Sequence, residues 1–79
     1  MVEKVVEIYS TPTCPWCKRA KEYLSEKGVK FTDYNVAEDS SKLQEMVSLT
    51  GQRGVPVIRI DNEIIVGFNP ASIDKALGI

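Results

Sequence analysis

The sequence contains no histidine. That removes Ser-His-Asp and Cys-His catalysis and the commonest zinc ligand. Cysteine is scarce: there are only two, Cys14 and Cys17, three positions apart. A bridge between them would close almost no loop, so it would not serve as a structural staple. Neither sign of charge is in excess. Ten Lys and Arg against eleven Asp and Glu leave a net charge of −1, which offers no basic surface to nucleic acid. Apolar runs are a few residues long, too short for a membrane span. Glu3 and Glu7 come early and do not fit a signal-peptide layout, so the expected location is the cytosol. A chain of 79 residues makes one small domain, residues 1–79, with little stability to spare and with a monomer as its simplest state.

What the chain does have is a regular alternation of strand and helix signals. Residues 2–9 are rich in β-branched side chains, and Val5-Val6-Glu7-Ile8-Tyr9 suits a central strand buried on both faces. A polar loop, Ser10-Thr11-Pro12-Thr13, follows. Residues 15–27 read as a helix. Pro15 fits the first helical position, Trp16, Ala20, Tyr23 and Leu24 keep to one face, and Lys18, Glu22 and Glu26 line another. Gly28 stands where a helix stop needs positive φ. A second strand falls within 29–36. Ser41-Lys42-Leu43-Gln44 fits a capping box opening a second helix, whose inner stripe is Leu43, Met46, Val47 and Thr50 and whose end is Gly51. Val57, Ile58 and Ile60 form a third strand. The tight turn Asp61-Asn62 returns the chain as a fourth over 64–66. Asn69 followed by Pro70 opens a last helix that Gly78 closes. The order β-α-β-α-β-β-α predicts an α/β fold: a four-stranded mixed sheet with helices on both faces, its first two strands parallel.

Cys14-Pro15-Trp16-Cys17 is a C-x-x-C between a strand and a helix, which reads as a redox motif. Cys14 falls at the helix N-terminus, where orphan N–H groups and the positive end of the dipole favour a thiolate. Lys18 and Arg19 add positive charge nearby. Cys14 is therefore expected to be the exposed, acidic nucleophile and Cys17, one turn inward, the buried resolving thiol. Pro15 fixes the turn. Trp16 either faces solvent beside the sulfur or packs into the core. A structural zinc knuckle would need four ligands, and two cysteines without histidine do not supply them. A reading from another class is a dimeric module bridging an iron–sulfur cluster through Cys14 and outside thiols, against which the rigid Pro15 weighs.

Two further stretches bear on binding. Val55-Pro56 precedes the third strand. In cis it would present Val55's backbone beside Cys14 for pairing with an extended peptide; in trans Pro56 would simply start a strand, and the residues alone leave both open. The amides of Gly67-Phe68-Asn69-Pro70 either hold a substrate carboxylate or only cap the last helix. Tyr9, Tyr23 and Tyr34 are expected to pack.

The first strand, Ser10-Thr11-Pro12-Thr13, Cys14-Pro15-Trp16-Cys17 and Gly54-Val55-Pro56 together resemble the glutaredoxin and NrdH-redoxin branch of the thioredoxin superfamily. The likeness covers nearly the whole chain. It implies the compact thioredoxin-like fold, a cis Val55-Pro56 bond, Cys14 as nucleophile, Cys17 as resolving thiol and no bound cofactor. It also implies disulfide-containing protein substrates, ribonucleotide reductase among them, or glutathionylated proteins. Lys18, Arg53 and Val55 occupy roughly the positions that hold glutathione in glutaredoxins. Gly67-Phe68-Asn69-Pro70 is closer to the Gly-Phe-x-Pro of NrdH-type redoxins, which thioredoxin reductase reduces at the expense of NADPH. The resemblance thus implies a substrate site of Lys18, Arg53, Val55, Pro56, Gly67 and Phe68, and either glutathione or thioredoxin reductase as reductant.

Overall fold

The computed structural model describes residues 5–78. Seven elements follow one another: β1 (Val6–Ser10), α1 (Pro15–Glu26), β2 (Thr32–Asn35), α2 (Ser40–Thr50), β3 (Val57–Ile60), β4 (Glu63–Val66) and α3 (Pro70–Leu77). This is the expected order, and the four strands form one mixed sheet arranged β2-β1-β3-β4. The pairing of β1 with β2 is parallel, and those of β1 with β3 and β3 with β4 are antiparallel. Among the described residues no helix is long and apolar enough to cross a membrane.

Strand alternation divides the core in two. Val6 and Ile8 of β1 face one way, with Ile58, Ile60 and Ile65, and are covered by Ala20 and Leu24 of α1 and Ile73, Ala76 and Leu77 of α3. Tyr9 faces the other way with Val57 and is covered by Met46 of α2. β1 is therefore buried on both faces, and Ile8 and Tyr9 are both fully buried. Helices lie on both sides of the sheet for that reason.

Helix ends fall where their chemistry dictates. Gly28 takes φ +72°, and its N–H closes on the Ser25 carbonyl at 3.0 Å. Asn69 caps α3 by accepting the Ser72 N–H. One start differs from the expectation. Helix α2 is capped by Asp39, whose carboxylate accepts the Lys42 N–H at 3.1 Å, and not by Ser41. A carboxylate favours the positive end of the helix, and starting there adds helical bonds ahead of the Ser41 box. The first strand also differs from the 2–9 reading. Residues 2–4 lie outside the described residues, Val5 is exposed and precedes the strand, and pairing runs on to Ser10.

The tyrosines do more than pack. The Tyr23 hydroxyl donates to Asp74 at 2.5 Å, tying α1 to α3. The Tyr34 hydroxyl donates to Glu7 at 2.7 Å. Tyr9 is the exception in depth: its hydroxyl is buried, and the carboxylate of Glu45 is the group that bears on it most closely.

Candidate functional site

Cys14 is the N-cap of α1, with φ −95° and ψ 113°. Pro15 follows at the first helical position, where a missing N–H costs nothing. The Cys14 side chain plays the part that Ser or Asp plays in other caps: the Cys17 N–H donates to Cys14 Sγ at 3.3 Å. The sulfur also lies 3.8 Å from the Val55 carbonyl oxygen, to which its thiol donates. Both cysteines are free thiols, Cys14 half-buried and Cys17 fully buried.

The two sulfurs differ in acidity. Desolvation opposes a charge on Cys14, but the Cys17 thiol, the backbone N–H groups of Cys17 and Trp16, and the ammonium of Lys21 together outweigh it. The Cys14 thiol is thereby held below the ordinary value of 9.0. At Cys17 burial dominates, the Cys14 sulfur reinforces it, and the thiol is pushed up to about 12. Of the two, Cys14 is therefore the sulfur that ionises first, with Cys17 as donor towards it.

Beside the thiols a shallow hollow of about 220 Å³ is lined by Trp16, Val55, Pro56, Gly67 and Phe68. The Val55-Pro56 bond is cis. Trp16 is 58% exposed and stacks on Phe68 with ring centroids 6.3 Å apart, which settles its orientation as solvent-facing. Phe68 in turn meets the edge of Tyr23 at 5.7 Å, and the Arg19 guanidinium lies over the Trp16 ring at 5.7 Å. The Gly67 N–H is already spent on the Pro56 carbonyl at 2.8 Å, so it is not free for a substrate carboxylate.

The structure thus brings together Cys14, Cys17, Val55, Pro56, Gly67 and Phe68. It does not bring Lys18 or Arg53 to the hollow. Lys18 is exposed on α1, and Arg53 lines a separate depression against α2 with Leu43 and Val47. The cation that bears on both sulfurs is Lys21, which sequence reasoning passed over in favour of Lys18 and Arg19. A usable signal existed: Lys21 is four residues after Cys17 and so shares its helical face.

Comparison with known proteins agrees with this geometry. The family model described as glutaredoxin matches residues 6–65. A relative from Clostridium pasteurianum, described as an uncharacterized glutaredoxin-like 8.6 kDa protein in the rubredoxin operon, is 60% identical over 73 residues, which is 92% of this chain and 97% of the relative. Glutaredoxin 3 of Escherichia coli strain K12 is 45% identical over 62 residues, covering 78% of this chain and 75% of that protein. Among solved structures, the glutaredoxin-like NrdH-redoxin from Escherichia coli, whose structure was determined to explain its thioredoxin-like activity profile, superposes with a TM-score of 0.79 at 26% identity. That match covers 89% of this chain and 91% of the other.

Proposed function

The chain belongs to the glutaredoxin family of thiol–disulfide oxidoreductases, and from that premise we propose that it is a dithiol electron carrier that reduces protein disulfides through Cys14 and Cys17. The observation that carries the reading is the unequal pair: a half-buried sulfur capped by the Cys17 N–H, and a fully buried partner one turn inward.

The chemistry runs in two displacements. Cys14 thiolate attacks one sulfur of a substrate disulfide, forms a mixed disulfide and expels the other substrate sulfur as thiolate. Cys17 then gives up its proton and attacks the Cys14 sulfur, which expels the second substrate thiolate and leaves Cys14–Cys17 bridged. Two electrons pass from the dithiol to the substrate, and an external reductant returns two. Trp16, Val55, Pro56 and Phe68 supply a docking hollow for the chain around the substrate disulfide. The Val55 carbonyl faces Cys14 and can pair with an extended substrate backbone.

For the reductant we favour thioredoxin reductase with NADPH over glutathione. Phe68 walls the hollow with an aromatic ring, and the two cations expected to hold glutathione, Lys18 and Arg53, do not line it. A protein disulfide such as that of ribonucleotide reductase fits this open hollow as substrate. The test is turnover of a protein disulfide with NADPH and either thioredoxin reductase or glutathione with its reductase. Activity with the first system, and its loss in a folded Cys14→Ser variant, is expected. Turnover only with the second would overturn the reductant, and a fully active Cys14→Ser variant would overturn the mechanism.

A further inference from the structure

Two side chains, one from β1 and one from α1, meet at a single carboxylate on β2. Ser10 ends β1, is 2% exposed and donates its hydroxyl to Asp33 Oδ1 at 2.5 Å. Lys21 of α1 donates its ammonium to Asp33 Oδ2 at 3.1 Å. A buried hydroxyl needs a partner. Asp33 provides it with one oxygen and fixes the lysine with the other. Lysine side chains are costly to order, so an unanchored ammonium would spend much of its time in solvent. Here it is held on the face of α1 that carries Cys17, one turn further along. The loop from Thr11 to Thr13 has no charged side chain, Lys18 is exposed, and Arg19 is engaged with the Trp16 ring.

We propose that Ser10, Asp33 and Lys21 form a positioning relay that keeps one ammonium beside the Cys14–Cys17 pair and favours the thiolate in both displacement steps. The inference rests on the dithiol reading above and deepens it. In the first step the ammonium acts alongside the N–H groups of Trp16 and Cys17 and the Cys17 thiol, all from α1. In the second step Cys14 is tied up in the mixed disulfide and no longer carries charge. Cys17 must then ionise in a buried position, and Lys21 is a side-chain charge that still bears on it. The charged group facing Lys21 across the packing is Asp33 on β2, with the neutral Ser10 behind it on β1.

The experiment is the pH midpoint of Cys14 alkylation by iodoacetamide in the reduced full chain, followed in wild type, Lys21→Gln, Lys21→Arg, Asp33→Asn and the Lys21→Gln/Asp33→Asn double variant. An ion held at a part-exposed site moves such a midpoint by about 0.2–0.7 pH unit. Lys21→Gln should raise it by that amount at low salt. The shift should shrink in 1 M salt, where screening acts within about 3 Å, and Lys21→Arg should leave the midpoint near wild type. Asn in place of Asp33 still accepts from Ser10 but holds the ammonium less firmly, so Lys21→Gln should shift the midpoint less in that background. An unmoved midpoint in Lys21→Gln, a shift indifferent to salt, or strictly additive effects would overturn the relay. A wild-type midpoint as high as a free thiol's would instead overturn the dithiol reading itself, so the two failures are distinct.

Discussion

Raising the pH above 9 should weaken the dithiol form while the disulfide form escapes that loss. In an unfolded chain both thiols ionise near their ordinary value of 9.0, whereas in the folded chain burial and the neighbouring sulfur push Cys17 up to about 12. Between those values unfolding releases a proton, so stability falls as pH rises, by about 1.4 kcal/mol per unit. From pH 9 to 11 this amounts to at most about 3 kcal/mol, a large share of the roughly 5–15 kcal/mol that holds a small domain together. Cys14 works in the opposite direction: its lowered value contributes stability that grows as pH climbs from its folded value towards 9 and stays constant above. Tyr9, pushed up to about 12 mainly by burial, adds its own loss above 10, but in both redox forms, so it cancels in the difference. The assay is urea unfolding of the reduced and the oxidised protein at intervals from pH 7 to 11. The difference in unfolding free energy, reduced minus oxidised, should rise towards pH 9 and then descend. Parallel curves through that range would refute the assigned burial of charge.

Other outcomes follow from the same contacts. Phe68→Ala removes the ring that stacks on Trp16 and meets Tyr23. At about 0.5–1.5 kcal/mol per aromatic pair, denaturant curves should show that loss of stability, and with one wall of the hollow gone KM for a protein disulfide should rise while the alkylation rate of Cys14 stays unchanged. Gly28→Val puts a β-branched residue at φ +72° in otherwise open space, so denaturant curves should show a loss of about 1–2 kcal/mol from backbone strain alone. Tyr9→Phe removes the hydroxyl pushed up to about 12, so the loss of stability expected of the oxidised protein above pH 10 should disappear in that variant, read from urea unfolding across pH 9 to 11.

Much of the fold was legible because each element carried its own punctuation. The β-branched run ending at Tyr9, the stops at Gly28, Gly51 and Gly78, and the Asn69-Pro70 start all behave as local chemistry dictates. The α2 start was misread because two capping signals, Asp39 and Ser41, stand two residues apart, and the earlier one wins. At the site, Cys14 and Cys17 were legible from spacing alone, since three residues at a helix N-terminus fix which sulfur is capped. Arg53 was not, because the direction of a loop side chain depends on how α2 packs on the sheet. The Asp33 contacts were hidden for a related reason. They require the parallel register that sets Ile8 against Asp33 and Ser10 against Asn35, which no local pattern encodes. The bond from Tyr23 to Asp74 likewise spans 51 residues and appears only once α1 and α3 share one face of the sheet.

The most direct test of the central claim is to expose the fully reduced protein to limiting iodoacetamide at neutral pH and to locate the label by mass spectrometry. Unequal thiols predict that Cys14 is carboxamidomethylated first, faster than a free cysteine peptide, while Cys17 remains unlabelled until the fold is opened. Equal labelling of the two, or a Cys14 rate no greater than that of the peptide, would contradict the account.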